Sequence, residues 1–280
     1  MKIIECPRDA MQGISKFIPT EKKIEYINQL LKVGFDTIDF GSFVSPKVIP
    51  QLKDTAEVLG GLDLSTSSTR LLAIIANVRG AITACDFQEI SYIGFPLSVS
   101  EEFQKRNTNK SIDQAFSTLE KVQNLSIKNN KDLVVYLSMA FGNPYNEKYC
   151  PEVVTAITKR LYDMEVKTVA LSDTIGVSNS TNISSLFSNL ISEYPSIEFG
   201  AHFHTTENSW RQKVDVAYRN GCKRFDSVLK GYGGCPMAKN ELVGNMPTEK
   251  LITYFKQDLA LDMKEFDKAL ALTSIIFKTL

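Results

Sequence analysis

Lys2-Ile3-Ile4-Glu5-Cys6-Pro7-Arg8-Asp9 opens the chain with a short β-rich run that passes straight into Pro-Arg-Asp. An open doubly wound sheet would usually place a Gly-rich, phosphate-cradling turn after its first strand. A proline, a guanidinium and a carboxylate stand there instead, which favours a closed (β/α)8 barrel. The alternation begun here continues along the chain. Runs 37–40, 71–76, 89–94, 133–139, 168–172, 197–204 and 225–229 read as further strands. Only 71–76 is ambiguous, because Leu72-Ala73-Ile74-Ile75-Ala76 could equally begin a helix.

The stretches between strands are amphipathic and have recognisable ends. Pro19-Thr20-Glu21 opens a helix whose Ile24, Ile27, Leu30 and Leu31 repeat at helical spacing, and Gly34 stops it. Ser111 is placed to cap the helix carrying Ala115, Phe116, Leu119 and Val122. Pro151 suits a first helical turn. Ile183, Leu186, Phe187, Leu190 and Ile191 form another stripe, and Trp210 to Tyr218 another, closed by Gly221. No linker interrupts the series, and eight βα units in about 250 residues is what a TIM barrel requires. The expectation is one α/β catalytic domain over residues 1–280. Its barrel would span about 1–246, with additional C-terminal helices over about 247–280.

Lys plus Arg and Asp plus Glu both number 32, with no basic block, which argues against nucleic acid as a partner. The five cysteines (Cys6, Cys85, Cys150, Cys222, Cys235) are scattered and show no CxxC spacing. That usage fits reduced thiols in a cytoplasmic compartment. No long apolar span or targeting segment is evident, so a soluble enzyme away from membranes is expected.

The only two histidines lie in Ala201-His202-Phe203-His204. Alternate residues of a strand share a face, so both imidazoles point the same way and suit one metal ion. Catalytic groups of a barrel come from the C-terminal ends of its strands. Those positions hold Arg8 and Asp9, then Asp39, then Tyr136 and Ser138, then Asp173, then His202 and His204. After the eighth strand comes Gly231-Tyr232-Gly233-Gly234-Cys235-Pro236, with Asn245 beyond it. A carboxylate, two imidazoles and an amide oxygen suit an octahedral divalent ion that keeps sites for water or substrate. Two His and one Asp also match the non-haem iron arrangement, which belongs to other scaffolds. No thiolate pair is available for a structural zinc. Arg8 would supply positive charge to a developing enolate or oxyanion. The glycines around Cys235 allow the mobility a lid needs. Taken singly, Arg8-Asp9 is a surface ion pair and Cys235 a turn residue; their convergence on one barrel face points to a site.

Together these segments resemble the 3-hydroxy-3-methylglutaryl-CoA lyase family, in the metal-dependent lyase and acyl-CoA-condensing group of TIM barrels. The resemblance rests on Pro7-Arg8-Asp9, on Ser42-Phe43-Val44-Ser45-Pro46-Lys47 and on Asn107 within 103–109. It continues through Ser172-Asp173-Thr174-Ile175-Gly176-Val177, the histidine pair, Gly231 to Pro236 and Gly244-Asn245. It implies that Asp9, His202, His204 and Asn245 hold Mg²⁺ or Mn²⁺. It implies a retro-Claisen cleavage to acetyl-CoA and acetoacetate, with Asp9 as base, Arg8 stabilising the enolate and Cys235 protonating it. Asp39 joins the catalytic set, and Gln12, Asn107, Tyr136, Ser138 and Asp173 are expected at the substrate. An isologous homodimer is the expectation for such enzymes.

Four departures accompany the match. Asp39 stands where the family has glutamate, Thr205 where an acidic residue follows the second histidine, and Ala10 where glycine follows Arg-Asp. Asn240-Glu241-Leu242-Val243 is bulkier than the family's small, Gly-rich stretch. These allow a related 3-hydroxyacyl-CoA as substrate. The alternatives are a condensing enzyme joining acetyl-CoA to a 2-oxo acid, like isopropylmalate or homocitrate synthases, and a weakly active barrel serving as a binding subunit.

Overall fold

Every run read as a strand becomes one. The computed structural model describes residues 1–234 and 243–278. Its strands are β1 (Lys2–Glu5), β2 (Thr37–Ser42), β3 (Arg70–Ile74), β4 (Ile90–Ser98), β5 (Asp132–Ser138), β6 (Thr168–Asp173), β7 (Glu198–Thr205), β8 (Arg224–Ser227) and β9 (Gly244–Asn245). The first eight pair in parallel in chain order, and pairings β1–β8 and β6–β7 leave no open edge among them. This is a closed (β/α)8 TIM barrel. The short β9 runs antiparallel to β7 and sets Asn245 opposite His204.

The ambiguous third run is a strand, because Leu71 and Ala73 are buried outward against the helices while Leu72 is buried inward. β4 is longer than its sequence suggested, continuing past Gly94 and Pro96 to Ser98. Gly94 looks like a breaker but is a clearance: a Cβ there would lie 2.4 Å from Ile74 Cδ1 and 3.1 Å from Tyr136 Cε2. Ser111 caps its helix (Ile112–Lys128) with a full capping box, and Pro151 opens Pro151–Asp163.

The C-terminal segment forms helices Thr248–Tyr254 and Met263–Lys278. The latter packs on the helix Thr20–Leu31, where Thr273 Oγ1 donates to the Tyr26 hydroxyl at 3.2 Å. Its Phe277 stacks on Tyr232 in the loop after β8, ring centroids 4.9 Å apart. Among the described residues no helix is long and apolar enough to cross a membrane.

The barrel interior is divided. Leu72, Tyr92, Val134, Tyr136 and Ala170, with Ile74, fill the side made by β3 to β6 with apolar bulk. The opposite side carries buried Asp39, His204, Arg224 and Asp226. A barrel core is normally branched and apolar, so this charged half marks where the fold has been given to chemistry.

Candidate active site

The helix Pro7–Gln12 starts directly after β1, with Pro7 where its missing N–H costs nothing. Residues four apart share a helix face, which lays Gln12 beside Arg8. Arg8 Nη1 donates to Gln12 Oε1 at 2.9 Å and to Asp9 Oδ1 at 2.8 Å, and Gln12 Nε2 donates to Asp9 Oδ1 at 2.6 Å. Both Arg8 and Asp9 are buried, so this is no surface ion pair.

Asp39 grips the other side of Arg8, accepting from Nε at 3.0 Å and Nη2 at 2.5 Å. A register shift in β2 falls between Asp39 and Gly41, the kind of irregularity that re-aims a side chain at a barrel rim. Burial pushes the Asp39 carboxyl up to about 6, against the opposing pull of Arg8. Asp39 does not line the cavity; it positions Arg8, which does.

On β7, His202 and His204 face inward together, ring centroids 5.7 Å apart. The ligand atoms of Asp9, His202 and His204 lie within 4.8 Å of one another, a candidate metal site built from three separate positions of the barrel rim. Burial opposes ionisation of Asp9, but the Arg8 charge first and the imidazoles next hold it below the usual carboxylate range. Burial, aided by His202, pushes His204 down to about 4, so it is neutral and its lone pair is available. For His202 burial also disfavours the cation, yet the Asp226 carboxylate outweighs it and holds this imidazole above the ordinary range.

Asn245 donates through Nδ2 to Asp9 Oδ2 at 2.8 Å and to the Tyr232 carbonyl at 2.9 Å. Both amide hydrogens are then spent, and its oxygen is the group left to offer a cation. The donor set (one carboxylate, two imidazoles, one amide oxygen) suits a divalent ion of intermediate hardness.

The cavity beside these groups is lined by Arg8, Asp9, Gln12, Asn107, Tyr136, Ser138, His202 and His204, so the structure brings these sequence candidates together. Asn107 comes in on the helix Glu101–Thr108, capped by Ser100, one turn beyond the cavity-lining Phe103. Asp173 stands apart. Its carboxylate takes the Lys213 ammonium at 2.6 Å and the Ser178 hydroxyl at 2.6 Å, and it does not line the cavity. It pins the loop after β6, where Gly176 and His204 carbonyls also accept from Lys213. The inward positions there are Ser172 and Thr174, which a strict strand alternation through Ala170 would have picked out. Asp226 was also missed; its signal was a carboxylate two residues after Arg224, which puts two opposite charges on one face of the eighth strand.

Cys235 lies outside the described residues. The approach to it is defined: a Cβ on Gly233 would sit 2.8 Å from the Asp9 carbonyl and 3.1 Å from Asn245 Nδ2. The φ of +81° there favours glycine on its own account. The loop therefore departs from directly against the candidate metal ligands.

The chain matches the HMGL-like family over residues 2–276. It is 35% identical over 255 residues to the cytoplasmic 3-hydroxy-3-methylglutaryl-CoA lyase of Rattus norvegicus, covering 90% of this chain and 73% of that one. To the hydroxymethylglutaryl-CoA lyase YngG of Bacillus subtilis it is 33% identical over 259 residues, covering 92% and 86%. An HMG-CoA lyase from Acinetobacter baumannii, solved with coenzyme A and 3-methylmalate, superposes with a TM-score of 0.90 at 28% identity, covering 99% of this chain and 90% of that one. A closed barrel with this Arg–Asp–His–His face, matched along nearly its whole length, belongs to the HMGL-like family.

Proposed function

We propose that this protein is a carbon–carbon lyase that cleaves 3-hydroxy-3-methylglutaryl-CoA, or a related 3-hydroxyacyl-CoA, to acetyl-CoA and acetoacetate. The observation that carries it is the meeting of Asp9, His202 and His204 within 4.8 Å of one another beside an arginine in a single cavity. Asp9, His202, His204 and Asn245 would hold Mg²⁺ or Mn²⁺. When bound, such a cation would supply Lewis acidity toward the oxygens of the substrate. Asp9 would take the proton of the substrate's tertiary hydroxyl. The C2–C3 bond breaks, its electron pair passing to the thioester as an enolate, and the former carbinol carbon becomes the ketone of acetoacetate. Arg8, clasped by Asp39, offsets the enolate charge. Cys235 returns a proton to C2; a thiol with an ordinary pKa of about 8.5 is still protonated at neutral pH. Gln12, Asn107, Tyr136 and Ser138 orient the acyl group.

An acyl-CoA is the small-molecule partner in this reading, and a cytoplasmic setting with reduced thiols goes with it. The homodimer expected for such barrels completes the proposal. The test is acetoacetate release from 3-hydroxy-3-methylglutaryl-CoA by metal-stripped protein, with and without Mg²⁺ or Mn²⁺. Cation-dependent release supports both enzyme and cofactor. No release with cation bound rejects this substrate, and condensation of acetyl-CoA with 2-oxo acids is then the reaction to assay.

A further inference from the structure

Beneath the candidate metal site, the barrel interior holds a group of buried polar atoms without hydrogen-bond partners among the described residues. They are all three guanidinium nitrogens of Arg224, Asp226 Oδ1 and the Tyr136 hydroxyl. Arg224 is 0% exposed, and the nearest carboxylate oxygen in ion-pair range is Glu198 Oε2 at 3.8 Å. Arg224 and Asp226 are two apart on β8, so both side chains point inward. Strand register sets Arg224 beside Gly200 and Asp226 beside His202. Gly200 makes the room: a Cβ there would lie 2.9 Å from Arg224 Cδ.

The other oxygen of Asp226 faces His202 Nδ1 at 3.1 Å. An ionised carboxylate only accepts, so Nδ1 must carry the hydrogen, leaving Nε2 as the nitrogen free to bind a cation. A buried charge with no partner is costly, and a polar chamber of this kind retains water to join its groups. We propose that Asp226, backed by Arg224 through enclosed water shared with Tyr136, is a positioning residue that fixes His202 as an Nδ1–H imidazole with Nε2 directed at the cation. Outer partners of this type hold ligand geometry as firmly as the ligands themselves. The inference rests on the metal-site half of the proposed function and is independent of the substrate.

Two measurements test it. The protein has only two histidines, so long-range ¹⁵N spectra of the metal-free protein at alkaline pH resolve both, with His204→Gln giving the assignment. His202 is expected in the Nδ1–H form; an Nε2–H pattern overturns the proposal. Mn²⁺ titration calorimetry is the second. Asp226→Asn should weaken binding about 10–100-fold, and Arg224→Leu roughly tenfold, with Arg224→Lys recovering most of that loss. Unchanged affinity in both Asp226→Asn and Arg224→Leu overturns it. Failure of the unsubstituted protein to bind Mn²⁺ would instead reject the metal site, and the tautomer measurement would still decide the role of Asp226.

Discussion

Arg8 holds both oxygens of Asp39, Nε donating to Oδ2 at 3.0 Å and to Oδ1 at 3.2 Å and Nη2 to Oδ2 at 2.5 Å, while its third nitrogen serves Asp9 and Gln12. The guanidinium is therefore fixed in plane and in rotation before any substrate arrives. Asp39→Ala removes that clasp and leaves one carboxylate beside a buried cation. We expect a loss of about 3 kcal/mol in urea unfolding and a fall in kcat of about 100-fold, the usual cost of a misplaced catalytic group. Unchanged turnover would show that Arg8 keeps its position without Asp39.

Glu5 gives the fold a pH dependence of its own. Burial pushes its carboxyl up to about 8, despite hydrogen bonds from Thr248 and the Leu229 N–H. Between its ordinary 4.5 and about 8, the folded chain keeps a proton that the unfolded chain has released. This contribution to stability is complete below 4.5 and is lost as pH rises through about 8. Thermal melts should therefore fall more steeply toward alkaline pH in the unsubstituted protein than in Glu5→Gln, whose amide can serve the same partners without ionising. Parallel curves would remove Glu5 as the cause.

Lys213 and Asp173 form an ion pair with side chains 5% and 0% exposed. Lys213→Met strands a buried carboxylate, and denaturant melts should show a loss of about 3–5 kcal/mol. Adding Asp173→Asn should recover part of it, the signature of direct coupling. Strictly additive losses would mean the two residues act separately.

For Cys235, Cys235→Ser should reduce kcat by roughly 100-fold or more, in the range of a lost proton donor. Cation affinity should be unchanged. Equal turnover in a steady-state assay would take Cys235 out of the reaction.

The barrel, and the gathering of most candidate residues at one rim of it, were legible because they follow from local chemistry. Strand runs, helix caps at Ser111 and Pro151, and the shared face of His202 and His204 depend on near neighbours in sequence. What sequence hid was tertiary. Asp173 sits at a strand end like the other site residues, yet Lys213, 40 residues away, turns its carboxylate into a loop anchor. Asp226 reads as an ordinary strand residue until β7 sets His202 beside it. Gly94 and Pro96 resemble strand breakers until the barrel closes and Ile74 needs the space.

The contact between Gly200 and Arg224 ties the two positions together unequally. A Cβ at 200 would press to 2.9 Å from Arg224 Cδ, so the guanidinium could not keep its present course inside the closed barrel. A small residue at 224 opposite the glycine would cost only a void, a moderate loss. The arginine therefore depends on the glycine far more than the glycine depends on the arginine.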